Sequence, residues 1–498
     1  MIVMVSAVGT ALCAVYYLKE RYDYQVRKLP PGPTSIPFIG DVLSINPKSP
    51  HLSLSELAKT YGDIFSIKLG SERVVILNNA ELIKTAYRGV DISHRPDLFC
   101  MDVLAGGKGF LTCKDEVQRQ LHMKICRQAM RVVNNSDMGD KILHEANDLV
   151  NHFAAQNEKP FDPQCDLHIA SLNILCNFVF GERYEHNHPE MREILEFSAE
   201  ISKLLSPMHP VNAMPWLRHF PNKWFASLFK ARDQRDRILM KKYVEHVVTY
   251  KAGKIRDMLD GLLAETTEAV AENNKQAVAL LTPEHIIINM WLIFFAGSDT
   301  VTNTLQWSLL YMAVFPKKQA KAQEELERVI GQSKRLSLEH KSQLPYLQAV
   351  INEVLRYSSL TILGVPHAAA RDTEINGYFI PKGTSVMANF WSVHHNGEAW
   401  DQPEEFLPER FLNDQGTLKE PSQIPHFMPF SVGKRRCLGD KVAKAELFLM
   451  LGRLLQEFFF EMPQDVEADL QGEAAVSLIP KPYKIVAKKR HILQPETI

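Results

Sequence analysis

The sequence predicts a mainly α-helical fold with small β-sheets, an α+β architecture built as one large domain, and three observations carry that prediction. Apolar residues recur at helical spacing over about 115–330, with a break near 207–221. Strand signals are short and few: 65–69 and 73–77 flank a Gly70-Ser71 turn, and 374–379 carries an Asn-Gly hairpin signal ahead of a strand-like run over 386–390. A last helix is expected over about 438–458, where Ala443, Leu447, Met450 and Leu454 fall at helical spacing. Length alone would allow several domains in 498 residues, yet no linker-like stretch interrupts 37–498. Lys plus Arg (57) nearly balances Asp plus Glu (58), which excludes the global basic field of a nucleic-acid binder. Seven scattered cysteines without a CxxC pair fit a reducing compartment and argue against zinc.

Residues 1–18 form an almost wholly uncharged run that ends in Tyr16-Tyr17-Leu18. A helix of that length just reaches across a bilayer, and tyrosines favour its interface. Lys19 and Arg21 follow the run and no basic residue precedes it, so the positive-inside rule makes 1–18 a signal anchor with the rest of the chain cytosolic. A cleaved signal peptide is the competing reading, disfavoured by the missing basic start and cleavage site. The prolines of Arg27-Lys28-Leu29-Pro30-Pro31-Gly32-Pro33 make 19–36 a basic, semi-rigid hinge, leaving 37–498 as the single large domain.

Three segments carry chemistry. In Phe294-Phe295-Ala296-Gly297-Ser298-Asp299-Thr300, an acid and an alcohol interrupt a helix that is apolar on nearly every face, and burying a carboxylate there needs a reason. Thr300 can bond back to the Ala296 carbonyl and bend the helix, and Gly297 is expected to open space beside it. Such a groove would hold water, with Asp299 relaying protons from solvent; a polar notch in a core helix is the plainer reading. In Glu353-Val354-Leu355-Arg356 the charges share a helix face, and Arg410 of Phe406-Leu407-Pro408-Glu409-Arg410-Phe411 offers a second guanidinium. These three are assigned to architecture, as a latch holding the segment before Cys437. In Phe430-Ser431-Val432-Gly433-Lys434-Arg435-Arg436-Cys437-Leu438-Gly439 a thiol is framed by an aromatic, two glycines and three cations ahead of a helix. Positive charge and a helix N-terminus stabilise a thiolate, Phe430 can shield the sulfur, Gly433 permits a tight turn and Gly439 admits a flat ligand. The arrangement suits a haem iron held by one axial thiolate; a free cysteine in a basic turn is the alternative.

Together and in this order, the segments resemble the cytochrome P-450 superfamily of haem-thiolate monooxygenases over essentially the whole chain. The resemblance implies that fold, with haem b (iron protoporphyrin IX) between the long central helix and the cysteine loop. It makes Cys437 the iron ligand, sets Arg435 and His367 facing the haem propionates, and places Ala296 on the distal side. Phe110, Leu205, Ile362, Val365 and Leu478 join Ala296 as apolar substrate-lining candidates. Asp299 and Thr300 become the catalytic pair of a reaction that puts one oxygen atom of dioxygen into a substrate and the other into water. One stretch departs from the family pattern. Relatives carry a Trp and, one turn on, an Arg that binds a propionate; here Arg119 and Met123 stand in those places, with Lys124 or Arg119 left to supply the charge. A weaker clamp follows, which Met123→Arg is expected to tighten.

Lys434, Arg435, Arg436, Lys441 and Lys444, with Lys124, Arg127 and Arg131, make a basic face suited to an acidic electron donor. The anchor and this face resemble the microsomal type, located on the endoplasmic reticulum and fed by the diflavin NADPH–cytochrome reductase, with cytochrome b5 as a second candidate donor. Pro215-Trp216-Leu217 and Phe220-Pro221-Asn222 resemble the steroid 17-alpha-hydroxylase group, whereas Arg371-Asp372-Thr373 and Asn376–Gly383 look closer to the aryl-hydrocarbon-oxidising family. A steroid and a planar aromatic therefore both stand as lipophilic substrates. A haem-thiolate isomerase acting on peroxides and a non-catalytic, membrane-tethered haem protein are the readings from other classes.

Overall fold

The computed structural model describes residues 2–70, 72–134, 138–205, 210–213, 217, 219–220, 223–331 and 334–490. The organising element is the central helix Pro283–Val314. Thr282 caps its start by accepting from the His285 amide, and Pro283 sits in the first turn, where no amide donor is needed. Pro316 stops it and opens the next helix, Pro316–Ile330. At 1.5 Å per residue it is about 48 Å long. All its residues from Ile286 to Phe294 and from Val301 to Ala313 are buried, because apolar side chains occupy every face. Around it pack the helices Gln164–Phe180, Lys223–Thr249, Pro345–Ser358 and Asp440–Glu457. The largest cluster of buried apolar residues runs in sequence from Ile45 to Ala487, so one core serves nearly the whole chain.

The β-structure is small and lies to one side. Strands β1 (Ile64–Leu69) and β2 (Glu72–Leu77) form an antiparallel hairpin with Ile64 opposite Leu77. β3 (His367–Ala368) and β6 (Ser385–Ala388) complete a sheet of order β1-β2-β6-β3, in which β6 runs parallel to β2. Between them β4 (Thr373–Ile375) and β5 (Tyr378–Ile380) pair across Asn376 and Gly377, whose φ angles of 50° and 80° are those a two-residue turn requires. The run expected over 386–390 is strand only to Ala388, since Asn389 turns the chain and caps the helix Phe390–His394.

The N-terminal helix spans Ile2–Gln25, past the expected end of the anchor at residue 18. Glu20 explains the extension: it pairs with Lys68 and, at 3.1 Å, with Arg73, tying the last turns to the β1–β2 hairpin. Residues 19–25 are therefore docked helix, and only the proline-bearing part of the 19–36 hinge is non-helical. Side chains of residues 1–13 lie outside the described set, as do Pro215, Trp216, Pro221 and Asn222. Among the described residues, the helix long and apolar enough to cross a membrane is the buried central one.

Candidate active site

The cysteine loop is held by short-range contacts. The Cys437 amide donates to the Phe430 carbonyl at 3.0 Å, and the Met428 amide to His394 Nε2 at 3.2 Å. Gly433 has φ +76°, and a Cβ there would collide with the Tyr87 carbonyl, so this position demands glycine twice over. Gly439 differs: its Cβ would meet nothing within 4 Å. No packing within the chain requires glycine there, which fits a residue that leaves room for a flat ligand. Cys437 opens to solvent on one side while the loop crowds the others, and this burial pushes its thiol up. The Gly439 amide and Arg436 oppose the rise and Asp440 adds to it. Of the motif's cations Arg436 favours the thiolate, while Lys434 faces Glu116 and Arg435 bonds backbone carbonyls.

Arg435 points away from the thiol. Its guanidinium donates to the carbonyls of Ser93 (2.8 Å), Phe110 (3.0 Å) and Cys113 (2.5 Å). Arg95, which sequence reasoning missed, donates to Leu111, Val365 and Pro366 carbonyls from a fully buried position. Burial lowers Arg435 to about 8, with the Arg95 and Arg119 charges adding to the fall, and burial lowers Arg95 to about 10, with Arg119 adding to it; neither has an ion-pair partner among the described residues. A buried and a half-buried cation, both bonded to carbonyls, call for anions. His367 is buried beside them, its ring stacked on Tyr87 at 3.7 Å and its Nδ1 against the Ile92 carbonyl at 2.7 Å. Burial holds it neutral, leaving Nε2 as the nitrogen not engaged by Ile92.

Lys124 lies elsewhere than expected. It is exposed on the outer face of the helix Glu116–Asn134, where its charge acts on Glu265. Met123 is packed in the main core, so an arginine there would first have to escape it. The cation that reaches the cysteine loop is Arg119: buried, it chelates Glu116 at 2.7 and 2.8 Å and donates to the Lys434 carbonyl at 3.1 Å.

On the central helix, Ala296 is the one exposed residue between Ile286 and Val314, flanked by half-buried Phe295, Gly297, Asp299 and Thr300. A core helix thus opens at one small residue. Thr300 donates to the Ala296 carbonyl at 2.7 Å, and Thr304 and Ser308 repeat the bond one and two turns on. Gly297 does not widen this opening. Its Cβ would press on Leu175 at 2.9 Å, so the glycine admits the helix Gln164–Phe180 instead. Asp299 is held by the Ser202 hydroxyl and by Ser298 at 3.3 Å, with His168 Nε2 at 3.5 Å from Oδ1.

Glu353, Arg356 and Arg410 come together. Fully buried Arg356 grips Glu353 with two bonds of 2.8 and 2.9 Å, and Arg410 adds a third at 3.1 Å. The remaining guanidinium donors reach carbonyls of the segment 394–405 that leads toward the cysteine loop.

Comparison with known proteins decides the lineage. The cytochrome P450 family model matches residues 30–487. The chain belongs to the cytochrome P450 family. It is 36% identical to the steroid 17-alpha-hydroxylase/17,20 lyase of Ictalurus punctatus, over 95% of this chain and 94% of that protein. It is 35% identical to cytochrome P450 1A1 of Rattus norvegicus over 91% and 88% of the two chains, and 34% identical to the human P450 1A1 over 92% of each. Like its family this P450 is a monooxygenase that binds haem b through a cysteine thiolate. The donor set fits that group: an accessible thiol, a glycine with open space beside it, and a buried and a half-buried guanidinium suited to two carboxylates.

The apolar candidates are unevenly exposed. Phe110, Ile362 and Leu478 are buried, Leu205 is half-buried and Val365 is 45% exposed. The Leu478 amide donates to Leu360 at 2.7 Å, which joins two of the expected lining segments. Arg95, Ser202 and His168 were not singled out from sequence. A lone His in the apolar run Leu167-His168-Ile169-Ala170 was the available signal for the last.

Proposed function

We propose that Cys437 holds the haem iron of a membrane-bound monooxygenase that oxygenates a lipophilic substrate with electrons passed from NADPH by a diflavin reductase. The observation that carries the reading is the pairing of an accessible Cys437 with buried Arg95 and half-buried Arg435, which have carbonyl partners and no carboxylate among the described residues. When bound, haem supplies the activation of dioxygen. The chain supplies the rest. Arg95 and Arg435 neutralise the propionates, and Phe430 keeps water from the sulfur while Lys444 sits over its ring at 5.2 Å. Thr300 holds water at the opening beside Ala296, and Asp299 delivers protons to that water. Exposed Lys124, Arg127, Arg131, Arg436 and Lys441 suit the acidic donor, with cytochrome b5 an additional one. The anchor at 1–18 would hold the domain on the cytosolic face of the endoplasmic reticulum. The intact acid–alcohol pair argues against a peroxide isomerase.

The test is the reduced carbon-monoxide difference spectrum. A red-shifted Soret band is expected, absent in Cys437→Ser; a histidine-type band in the parent overturns the reading. For the substrate, the steroid 17-alpha-hydroxylase relative points to a steroid, and the likeness to P450 1A1 leaves an aromatic open. Progesterone and pyrene are the probes: a Soret shift with one assigns its class, and no shift with either removes both.

A further inference from the structure

The Asp299 carboxylate is not simply open to solvent. Ser202 donates to Oδ2 from the helix Pro189–Leu204, Ser298 donates to Oδ1 from the next residue, and His168 approaches Oδ1 from the helix Gln164–Phe180. His168 Nε2 lies 3.5 Å from that oxygen, is itself sealed from solvent, and makes no hydrogen bond among the described residues. An orphaned buried nitrogen aimed at a carboxylate, one small rotation from bonding it, calls for a purpose. The side chain as a whole keeps 19% of its surface exposed, against 23% for Asp299. The imidazole therefore spans the wall between solvent and the carboxylate. Among the described residues Asp299 is the charged group acting on it: Ser202 and Ser298 are the other groups on that carboxylate, and the nearby Asp166 is engaged by His186 at 2.8 Å.

We propose that His168 is the solvent-side partner of Asp299 in proton delivery, so that the relay runs from water through His168 and Asp299 to the water held at Thr300. The inference rests on the monooxygenase reading and adds a residue to it. Each proton that leaves the Asp299 carboxyl toward Thr300 is replaced from Nε2–H of the imidazolium, which leaves the neutral Nδ1–H ring; the ring then turns toward solvent and takes a proton back from water at Nε2. No electron moves in these steps and no other reactant is consumed. Burial lowers the His168 pKa while the Asp299 charge raises it, which favours a ring that holds its proton only briefly.

Two measurements test this. In the diamagnetic ferrous–carbonyl form, with no turnover, the His168 resonance of histidine-labelled protein (assigned by its loss in His168→Gln) gives the imidazole pKa. Asp299→Asn should lower that pKa, and an unchanged value would show that the two side chains do not interact. His168→Gln can hydrogen-bond Asp299 but cannot carry a proton. It should keep the thiolate-type carbonyl spectrum, release several-fold more hydrogen peroxide per NADPH with pyrene or progesterone present, and enlarge the solvent deuterium isotope effect. A merely structural His168 would alter melting temperature and leave peroxide yield, isotope effect and pH profile as in the parent, and that result overturns the relay. If the parent itself lacks the thiolate spectrum, the fault lies with the monooxygenase reading instead.

Discussion

At the scale of single residues, two side chains have roles their neighbours reassigned. Gly297 stands where Leu175 leaves no space for a methyl group. Gly297→Ala should destabilise the fold by about 1–3 kcal/mol, through overpacking. The shift in urea midpoint should be partly reversed by Leu175→Ala in the same chain. Arg119 links two groups, Glu116 and the Lys434 carbonyl, and through them the helix Glu116–Asn134 to the cysteine loop. Replacing it with Met removes a charged donor from a carbonyl next to the thiol loop, a bond of a kind worth about 1.5–3 kcal/mol. Haem should then transfer to apomyoglobin on the order of tenfold faster than from the parent, at that lost energy. An unchanged transfer rate would mean that Arg119 serves the helix alone.

At the scale of elements, the latch and the cysteine helix each carry a buried charge. Arg356→Leu leaves Glu353 with Arg410 and the Leu407 amide, and should cost about 3–5 kcal/mol and most of the retained haem. Arg410→Leu should cost less, because Arg356 still forms two bonds to Glu353. Unfolding curves of the two variants rank them, and equal losses would count against a latch centred on Arg356. Glu446, on the helix Asp440–Glu457, faces Ser171 and has an Oε1 without a hydrogen bond among the described residues. Burial pushes its carboxyl from 4.5 up to about 8. The folded chain thus keeps a proton that the unfolded chain has released, so stability is full below pH 4.5 and falls as pH rises toward 8. Glu446→Gln should flatten the decline of melting temperature between pH 5 and pH 8, a window set by that shift. A parent and variant with parallel pH profiles would place the buried charge elsewhere.

At the scale of the whole molecule, near-neutral net charge coexists with one strongly basic face. Arg127, Arg131, Arg436 and Lys441 are exposed, although Arg436 is paired with Asp440 at 2.6 Å. The double variant Arg127→Glu, Lys441→Glu should raise the reductase concentration needed for half-maximal NADPH oxidation about tenfold at low salt, with the gap closing as ionic strength rises. A salt-independent gap would point to a local defect at the haem site.

The legibility of these features divides by how local their cause is. The β1–β2 hairpin, the Asn376–Gly377 turn, the central helix and the Thr300–Ala296 bond each depend on a few adjacent residues, and all were readable in the chain. The extension of the N-terminal helix to Gln25 was not, because it rests on Lys68 and Arg73, which meet Glu20 only after folding. The roles of Gly297, Arg95, Arg119 and His168 were hidden for the same reason: each depends on a partner supplied by another segment.

By itself the sequence determined the mainly α architecture and the family, since periodicity, turn residues and motif spacing are local properties of the chain. Only the tertiary structure decided that Arg95 and Arg435 bond carbonyls without an anion among the described residues, that Arg435 points away from the Cys437 thiol, and that Asp299 is bonded by Ser202 and approached by His168 from two other helices. Those are matters of distance between remote segments, and electrostatics in a low-dielectric interior is settled by such distances.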